Sequence, residues 1–184
     1  MSEQPPPPWE LLDTEEGQDL ILFQSQFSRY KNPRNGKIIR AVILHAPDWV
    51  NVVAVTPENH VVTVSQYRFG SGEITTEIPA GLVENGETPL ETARRELREE
   101  TGYISEDWET LGFVEPNPAY LDNRCYLFLA RNAVKAGEKA LEPGEDIRVK
   151  IMALEELREE IAAGRLRHAL ALAGLSRVFN LWNT

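Results

Sequence analysis

The sequence predicts an α/β fold in which a mixed β-sheet lies between helices. Short segments rich in valine and other β-branched residues recur through the middle of the chain, for example at residues 50–55 and 61–67. One helix with strong end signals follows them, and a longer helical stretch ends the chain. Mixed strands with one central and one terminal helix favour a sheet covered by helices.

The first 47 residues predict an antiparallel β unit. Residues 19–30 have the composition of a strand, residues 32–36 contain the Asn-Gly pair typical of a hairpin turn, and residues 37–45 form the returning strand. A single hairpin is only marginally stable in water, so it is expected to pack on the rest of the chain or on a second subunit. We therefore expect two parts: residues 1–47, a tail and β hairpin that dimerises, and residues 48–184, the main domain.

The remaining elements are predicted from apolar, β-branched runs between turn residues. The expected strands are residues 50–55, 61–67, 73–79, 111–115, 124–130 and 147–153. The expected loops are residues 80–87, residues 116–123 and the acidic segment 141–146. The last helical stretch covers residues 154–182 and is expected to break near Gly164.

The central helix has complete end signals. Thr88 can act as the N-cap, Pro89 suits the first helical position, and Glu91 stands three residues after the cap, as in a capping box. Gly102 suits the left-handed residue that follows a helix. The sequence therefore predicts a helix that begins at Pro89 and ends just before Gly102.

Three glutamates share one face near the end of this helix. Glu96, Glu99 and Glu100 are one to four residues apart, and like charges at spacings of three and four repel by about 0.2–0.5 kcal/mol per pair. The negative end of the helix dipole also disfavours acids there. Such a violation of local rules is typical of a functional site, and a hard divalent cation would turn repulsion into attraction. Arg95 can pair with Glu91 and Glu99 and fix the rotamer of the latter.

Composition limits the functional classes. The chain has 184 residues and a net charge of −10, which argues against bulk nucleic-acid binding because that requires basic surfaces. Cys125 is the only cysteine, so no internal disulfide can form. No apolar run of about 18 residues predicts a membrane span, and the N-terminus lacks the basic and apolar regions of a signal peptide. We expect a cytoplasmic protein without nucleic-acid or membrane partners.

The region around the central helix resembles the Nudix box, the signature of the Nudix hydrolases. The matching positions are Gly81, Glu87, Arg95, Glu96, Leu97, Glu99, Glu100 and Gly102, with Tyr103 at the last position, where an aliphatic residue is usual. The resemblance implies an α/β/α sandwich that hydrolyses a nucleoside diphosphate linked to another group, using Mg²⁺ or Mn²⁺. It also implies that the three glutamates of the helix bind the metal together with the carbonyl group of Ala80, while Glu87 orients the site.

Segments outside the box resemble the branch of the family that hydrolyses ADP-ribose and nucleotide sugars. They are residues 66–68 and 77–81 before the box, Pro116 or Pro118 after it, and residues 144–149. The substrate that this implies is a nucleoside diphosphate sugar, cleaved to a nucleoside monophosphate and a sugar phosphate. Members of this branch are typically homodimers that exchange N-terminal segments, so a homodimer through the N-terminal strands is expected.

The resemblance also assigns roles to individual residues around the helix. Arg68 and Glu77 are expected to bind substrate, and the fork of the arginine suits contacts with phosphates. Glu99 and Arg95 are expected to act in catalysis.

The acidic loop 141–146 is expected to supply two further carboxylates. One of them takes the proton of the attacking water. We favour Glu142 as this base and Glu145 as an additional metal ligand, with exchanged roles as the alternative.

Three other functions remain possible on the same fold. One is a hydrolase of dinucleoside polyphosphates or RNA caps, which the acidic charge disfavours for RNA. A second is a non-catalytic sensor of nucleotide sugars, although regulators of this fold often lose the glutamates that are intact here. An isomerase is disfavoured because its reactive cysteine would have to be Cys125, which lies in an apolar strand and is expected to be buried.

Overall fold

A computed structural model describes residues 5–182, and these residues form two compact units. One unit comprises the chain up to Pro47 together with Glu115–Asn123. The other comprises Asp48–Val114 and the chain from Arg124 onward. The segment Glu115–Asn123 thus groups with the N-terminal residues, although residues 116–123 were expected to be a loop of the main domain and residue 115 the end of a strand. Leu44 forms a β-bridge with Leu121.

The N-terminal unit contains a three-stranded antiparallel sheet in the order β1-β2-β3. The strands are β1 (Glu10–Asp19), β2 (Gln24–Lys31) and β3 (Ile38–His45). The predicted hairpin is β2–β3, and its turn contains Gly36 at a φ of 69°. Strand β1 was not predicted, because its acidic and largely exposed residues give no apolar alternation. The expected strand at residues 19–30 was wrong over residues 20–23, which connect β1 to β2, and Asp19 belongs to the end of β1.

The second unit is built around a seven-stranded mixed sheet. Its strands are β4 (Trp49–Val55), β5 (Val61–Arg68), β6 (Glu73–Glu77), β7 (Ala80–Leu82), β9 (Asp107–Val114), β10 (Cys125–Arg131) and β12 (Arg148–Met152), while β8 (Tyr103–Ile104) and β11 (Val134–Lys135) form a separate pair. The main path is β12-β5-β4-β10-β9, with β6 on β5 and β7 on β4. The β4–β10 pair is parallel and the other pairs are antiparallel.

Three helices cover the two faces of this sheet. They are α1 (Pro89–Thr101), α2 (Leu154–Ala162) and α3 (Ala169–Ser176). Successive residues of β4 point to opposite faces, so Val52 packs with Leu97 of α1, whereas Val53 packs with Leu175 of α3. The result is a sheet between two helical layers. None of the helices within residues 5–182 is long and apolar enough to cross a membrane.

The ends of the helices follow local sequence signals. Thr88 is the N-cap of α1, a capping box with Glu91 is formed, and Gly102 follows the helix at a φ of 72°. The expected break of the last helical stretch lies at Gly164, whose φ is 71°. The chain then continues without helix to His168, the N-cap of α3.

Candidate active site

The core fixes the orientation of the acidic end of α1. Leu97 is fully buried, and the neighbouring flank of the helix therefore enters the rim of the core. On that flank Glu96 is 8% exposed and Glu100 is 2% exposed. Burial raises the pKa of Glu96 to about 7 and raises the pKa of Glu100 well above its ordinary value. Two of the three predicted acids are thus buried carboxyl groups, and the side chain of Glu99 is half-buried.

Strand β7 approaches α1 closely at Gly81, where any side chain would displace the carboxyl group of Glu96. A Cβ atom on Gly81 would lie 1.9 Å from Oε1 of Glu96. One residue earlier, the backbone N–H of Ala80 donates to Oε2 of Glu100 at 3.0 Å. The Ala80–Gly81 backbone therefore lies against the two buried carboxyl groups.

Arg95 holds the other carboxylates of this cluster. It donates to both oxygens of Glu87, at 2.9 and 3.0 Å, and through Nη1 to Glu96 at 2.8 Å and Glu99 at 3.2 Å. The Arg95 guanidinium lowers the pKa of Glu87 to about 2. The expected pair with Glu91 was wrong, because the Glu91 carboxylate accepts from the N-cap residue instead. Arg95 thus fixes the rotamers of several acids at once.

A second charged group lies at the ends of β5 and β6. Arg68 donates to both carboxylate oxygens of Glu77, at 2.8 and 2.6 Å. Glu77 is fully buried. His168 lies beside the pair, with Nδ1 3.5 Å from Oε2 of Glu77 and without a hydrogen-bond partner among the described residues. Burial lowers the pKa of His168.

Sequence analysis assigned no function to His168. His168 follows Glu77 by about 90 residues in the chain, so no local sequence pattern connects them, and only the tertiary fold brings them together.

The loop before β12 contributes Glu142 and Glu145. Glu145 is half-buried and accepts from the backbone N–H of Glu142 at 3.0 Å. The charge of Glu145 raises the pKa of Glu96 and of Glu100, so it acts on the cluster of α1. The side chain of Glu142 is exposed. Of the two acids, Glu145 is therefore the one whose charge acts on the helix glutamates.

The acids of α1 fit a hard cation by their chemistry. Within residues 5–182, no three acidic, histidine or cysteine side chains are gathered closely enough to enclose a metal ion, and Nη1 of Arg95 donates to both Glu96 and Glu99. The carboxyl groups of Glu96 and Glu100 are nevertheless buried with raised pKa values, so added positive charge would stabilise their ionised forms. Metal binding by these residues stays a prediction.

Cys125 lies outside this site. It is fully buried in β10, and burial raises the pKa of its thiol to about 12. A thiol with so high a pKa is a poor nucleophile at neutral pH, which disfavours the isomerase alternative.

Comparison with known sequences identifies the family. A model of the NUDIX domain matches residues 46–173. The chain is 37% identical over 133 residues to the methanol dehydrogenase activator of Bacillus methanolicus, and the alignment covers 72% of each protein. It is 36% identical over 123 residues to the ADP-ribose pyrophosphatase of Bacillus subtilis, and this alignment covers 66% of each protein.

The fold agrees with that of a solved structure described as an ADP compounds hydrolase. The TM-score is 0.83, with 96% of this chain and 95% of that chain covered at 20% sequence identity. This likeness confirms the predicted α/β fold with a mixed sheet. The family match extends over most of the chain and confirms the resemblance drawn from the box. The chain therefore belongs to the Nudix family.

Proposed function

We propose that the protein hydrolyses the diphosphate of a nucleoside diphosphate sugar, such as ADP-ribose, to a nucleoside monophosphate and a sugar phosphate. The observation that supports this most is the pair of buried carboxyl groups, Glu96 and Glu100, held against the Ala80–Gly81 backbone. Relatives named ADP-ribose pyrophosphatase support the choice of substrate class.

The cation of this reaction is Mg²⁺ or Mn²⁺. Its ligands would be the carboxylates of Glu96, Glu99, Glu100 and Glu145 together with the carbonyl oxygen of Ala80. A bound divalent cation supplies charge neutralisation at the phosphates and a more acidic water. Arg95 positions the ligands of the cation, because its hydrogen bonds to Glu96 and Glu99 hold these side chains on one flank of the helix.

Arg68 binds the diphosphate. A guanidinium has five N–H groups, and Glu77 uses one on Nε and one on Nη2, so donors remain for phosphate oxygens. The side chain of Arg68 is 40% exposed, whereas that of Glu77 is fully buried. Glu77 therefore orients the guanidinium and keeps its charge in place, and only Arg68 touches the substrate.

Glu142 accepts the proton of the attacking water. Its carboxylate is exposed and thus accessible, and its backbone is tied to Glu145. Glu142→Gln should lower kcat with little change of KM, because the base acts in the transition state. If Glu142→Gln has a normal kcat and Glu145→Gln loses most of its kcat, then Glu145 is the base and Glu142 is the metal ligand.

We also propose a cytoplasmic homodimer formed through the N-terminal strands. The three-stranded sheet exposes apolar side chains, among them Leu11 (52% exposed), Ile38 (55%) and Val42 (42%). Exposed apolar surface of this kind is typical of an interaction face. Light scattering of the wild-type protein should give twice the chain mass of 20.8 kDa. Ile38→Lys should lower the measured mass toward that of a single chain. A monomeric wild-type protein would contradict the dimer, and fractionation of cells tests the location.

The function is tested by the release of phosphomonoester from ADP-ribose, ADP-glucose, UDP-glucose and GDP-mannose. At least one should be hydrolysed with Mg²⁺ or Mn²⁺, and Glu99→Gln and Glu100→Gln should each lower turnover by orders of magnitude. Glu159→Gln, which removes an exposed carboxylate of α2, is the matched control. Tight binding of one nucleotide sugar without turnover of any would instead support the sensor.

A further inference from the structure

A groove lies on the outward side of α1, apart from the carboxyl groups of Glu96 and Glu100. Its volume is about 690 Å³, within the range of small-molecule sites. We call it the arginine groove. The side chains that matter for its chemistry are Arg94, Arg95, Arg98, Glu106, Trp108 and Glu138.

The walls of the arginine groove are fixed by hydrogen bonds to the end of α1. The backbone N–H of Ala140 donates to the carbonyl of Glu99 at 2.8 Å, and that of Ala136 donates to Gly102 at 2.9 Å. Lys135 also donates through Nζ to the carbonyl of Thr101 at 3.0 Å. The last carbonyl groups of a helix have no hydrogen-bond partners within the helix. The segment 135–140 supplies such partners and is thereby held against the end of α1. The groove is therefore a built feature of the fold.

An aromatic ring forms one wall. Trp108 is half-buried and packs edge-on against Phe128, and its Nε1–H donates to the carbonyl of Ser105 at 2.8 Å. The guanidinium carbon of Arg94 lies 5.9 Å from the centre of the Trp108 ring. A fixed ring beside a cation suits a planar, electron-rich group such as a nucleobase.

Two exposed arginines of the groove suit a phosphate. Arg94 and Arg98 are exposed, lie one helical turn apart, and form no ion pair within the described part of the chain. Two such guanidiniums can bind one phosphate through several charge-assisted hydrogen bonds. The carboxylates of Glu106 and Glu138 also line the groove, and they can accept hydrogen bonds from hydroxyl groups. A ring, a phosphate and hydroxyl groups occur together in a nucleotide.

We propose that the arginine groove binds a nucleoside monophosphate, with the phosphate on Arg94 and Arg98 and the base against Trp108. Arg95 and Glu99 line the groove and also belong to the carboxylate cluster.

The test is calorimetric titration of the full chain in EDTA with AMP, inorganic phosphate and adenosine. AMP should bind the wild-type protein more tightly than phosphate does. Arg94→Gln and Arg98→Gln should each weaken AMP binding about tenfold, as expected for the loss of a charge-assisted hydrogen bond. Arg34→Gln, in the turn between β2 and β3, removes the same charge and should leave binding unchanged. Thermal unfolding of each variant verifies that it is folded.

A second comparison separates the groove from the proposed diphosphate site. Arg68→Lys keeps a charge beside Glu77 but loses the fork that binds phosphate, so it should leave AMP binding intact. AMP binding that is lost in Arg68→Lys and kept in Arg98→Gln would overturn the proposal. Equal affinity for AMP and phosphate, or no AMP binding at millimolar concentration, would overturn it as well. These outcomes do not depend on hydrolysis, so the proposed function is tested separately.

Discussion

Gly81→Ala changes the candidate site through one methyl group. The new Cβ would lie 1.9 Å from Oε1 of Glu96 and 2.0 Å from its Cδ, whereas ordinary contacts of a Cβ begin near 3.4 Å. The carboxyl group must therefore move by at least about 1.5 Å, the difference between 1.9 and 3.4 Å. The φ of Gly81 is not in the left-handed region, so alanine causes no backbone strain there.

The expected result of Gly81→Ala is a large loss of activity at a small cost in stability. A misplacement of about 1 Å in a catalytic arrangement can lower the rate about 100-fold. The moved carboxyl group loses its 2.8 Å bond from Arg95 but gains solvent, so the free energy of unfolding should fall by less than about 2 kcal/mol.

The assay is the release of phosphomonoester from ADP-ribose, with the free energy of unfolding measured in urea. Gly137→Ala is the matched control, because its Cβ would meet nothing within 4 Å. Glu96→Gln should lower turnover as much as Gly81→Ala, since both act on the same carboxyl group. Turnover of Gly81→Ala within threefold of the wild type would refute the reasoning that the Glu96 position controls the reaction.

Three further predictions follow from the same contacts. Thr88→Ala should lower the free energy of unfolding by about 1 kcal/mol, because it removes the capping box, and should leave turnover unchanged; a large loss of turnover would contradict this. Glu100→Gln should abolish most turnover with the fold retained in circular dichroism; a normal rate would contradict its assigned role. In EDTA, the pKa of Glu96 is raised from an ordinary 4.5 to about 7, so the folded state binds more protons than the unfolded state between pH 4.5 and pH 7. The free energy of unfolding should therefore fall by up to about 3 kcal/mol as the pH rises from 4.5 to 7. It should fall less steeply with pH in Glu96→Gln. An increase in the free energy of unfolding of the wild-type protein over this range would contradict the prediction.

The elements that sequence reasoning found are those with local signals. The valine-rich strands of the sheet and the capped ends of α1 are set by residues close together in the chain. Strand β1 lacked such a signal because it is acidic and exposed along its whole length. Strands β8 and β11 are two residues long each and exist only because the segment after β10 returns to the end of α1.

The contacts of the candidate site also divide into those that follow from local sequence and those that depend on the tertiary fold. The helix glutamates and the Arg95–Glu99 pair follow from helical spacing. The contact of Arg95 with Glu87 joins a loop to the helix, and the pairing of Arg68 with Glu77 joins two strands, so neither follows from helical spacing. The approach of His168 to Glu77 depends on where α3 begins. Such contacts require the fold itself.

The most direct test of the central claim is a crystal structure with Mn²⁺ and a non-hydrolysable analogue of ADP-ribose, with the metal located by its anomalous scattering. The account predicts Mn²⁺ bound directly to carboxylate oxygens of Glu96, Glu99 and Glu100, in contact with the diphosphate of the analogue and at metal–oxygen distances of about 2.0–2.3 Å. Metal bound elsewhere, or α1 glutamates without bound metal at saturating Mn²⁺, would contradict it.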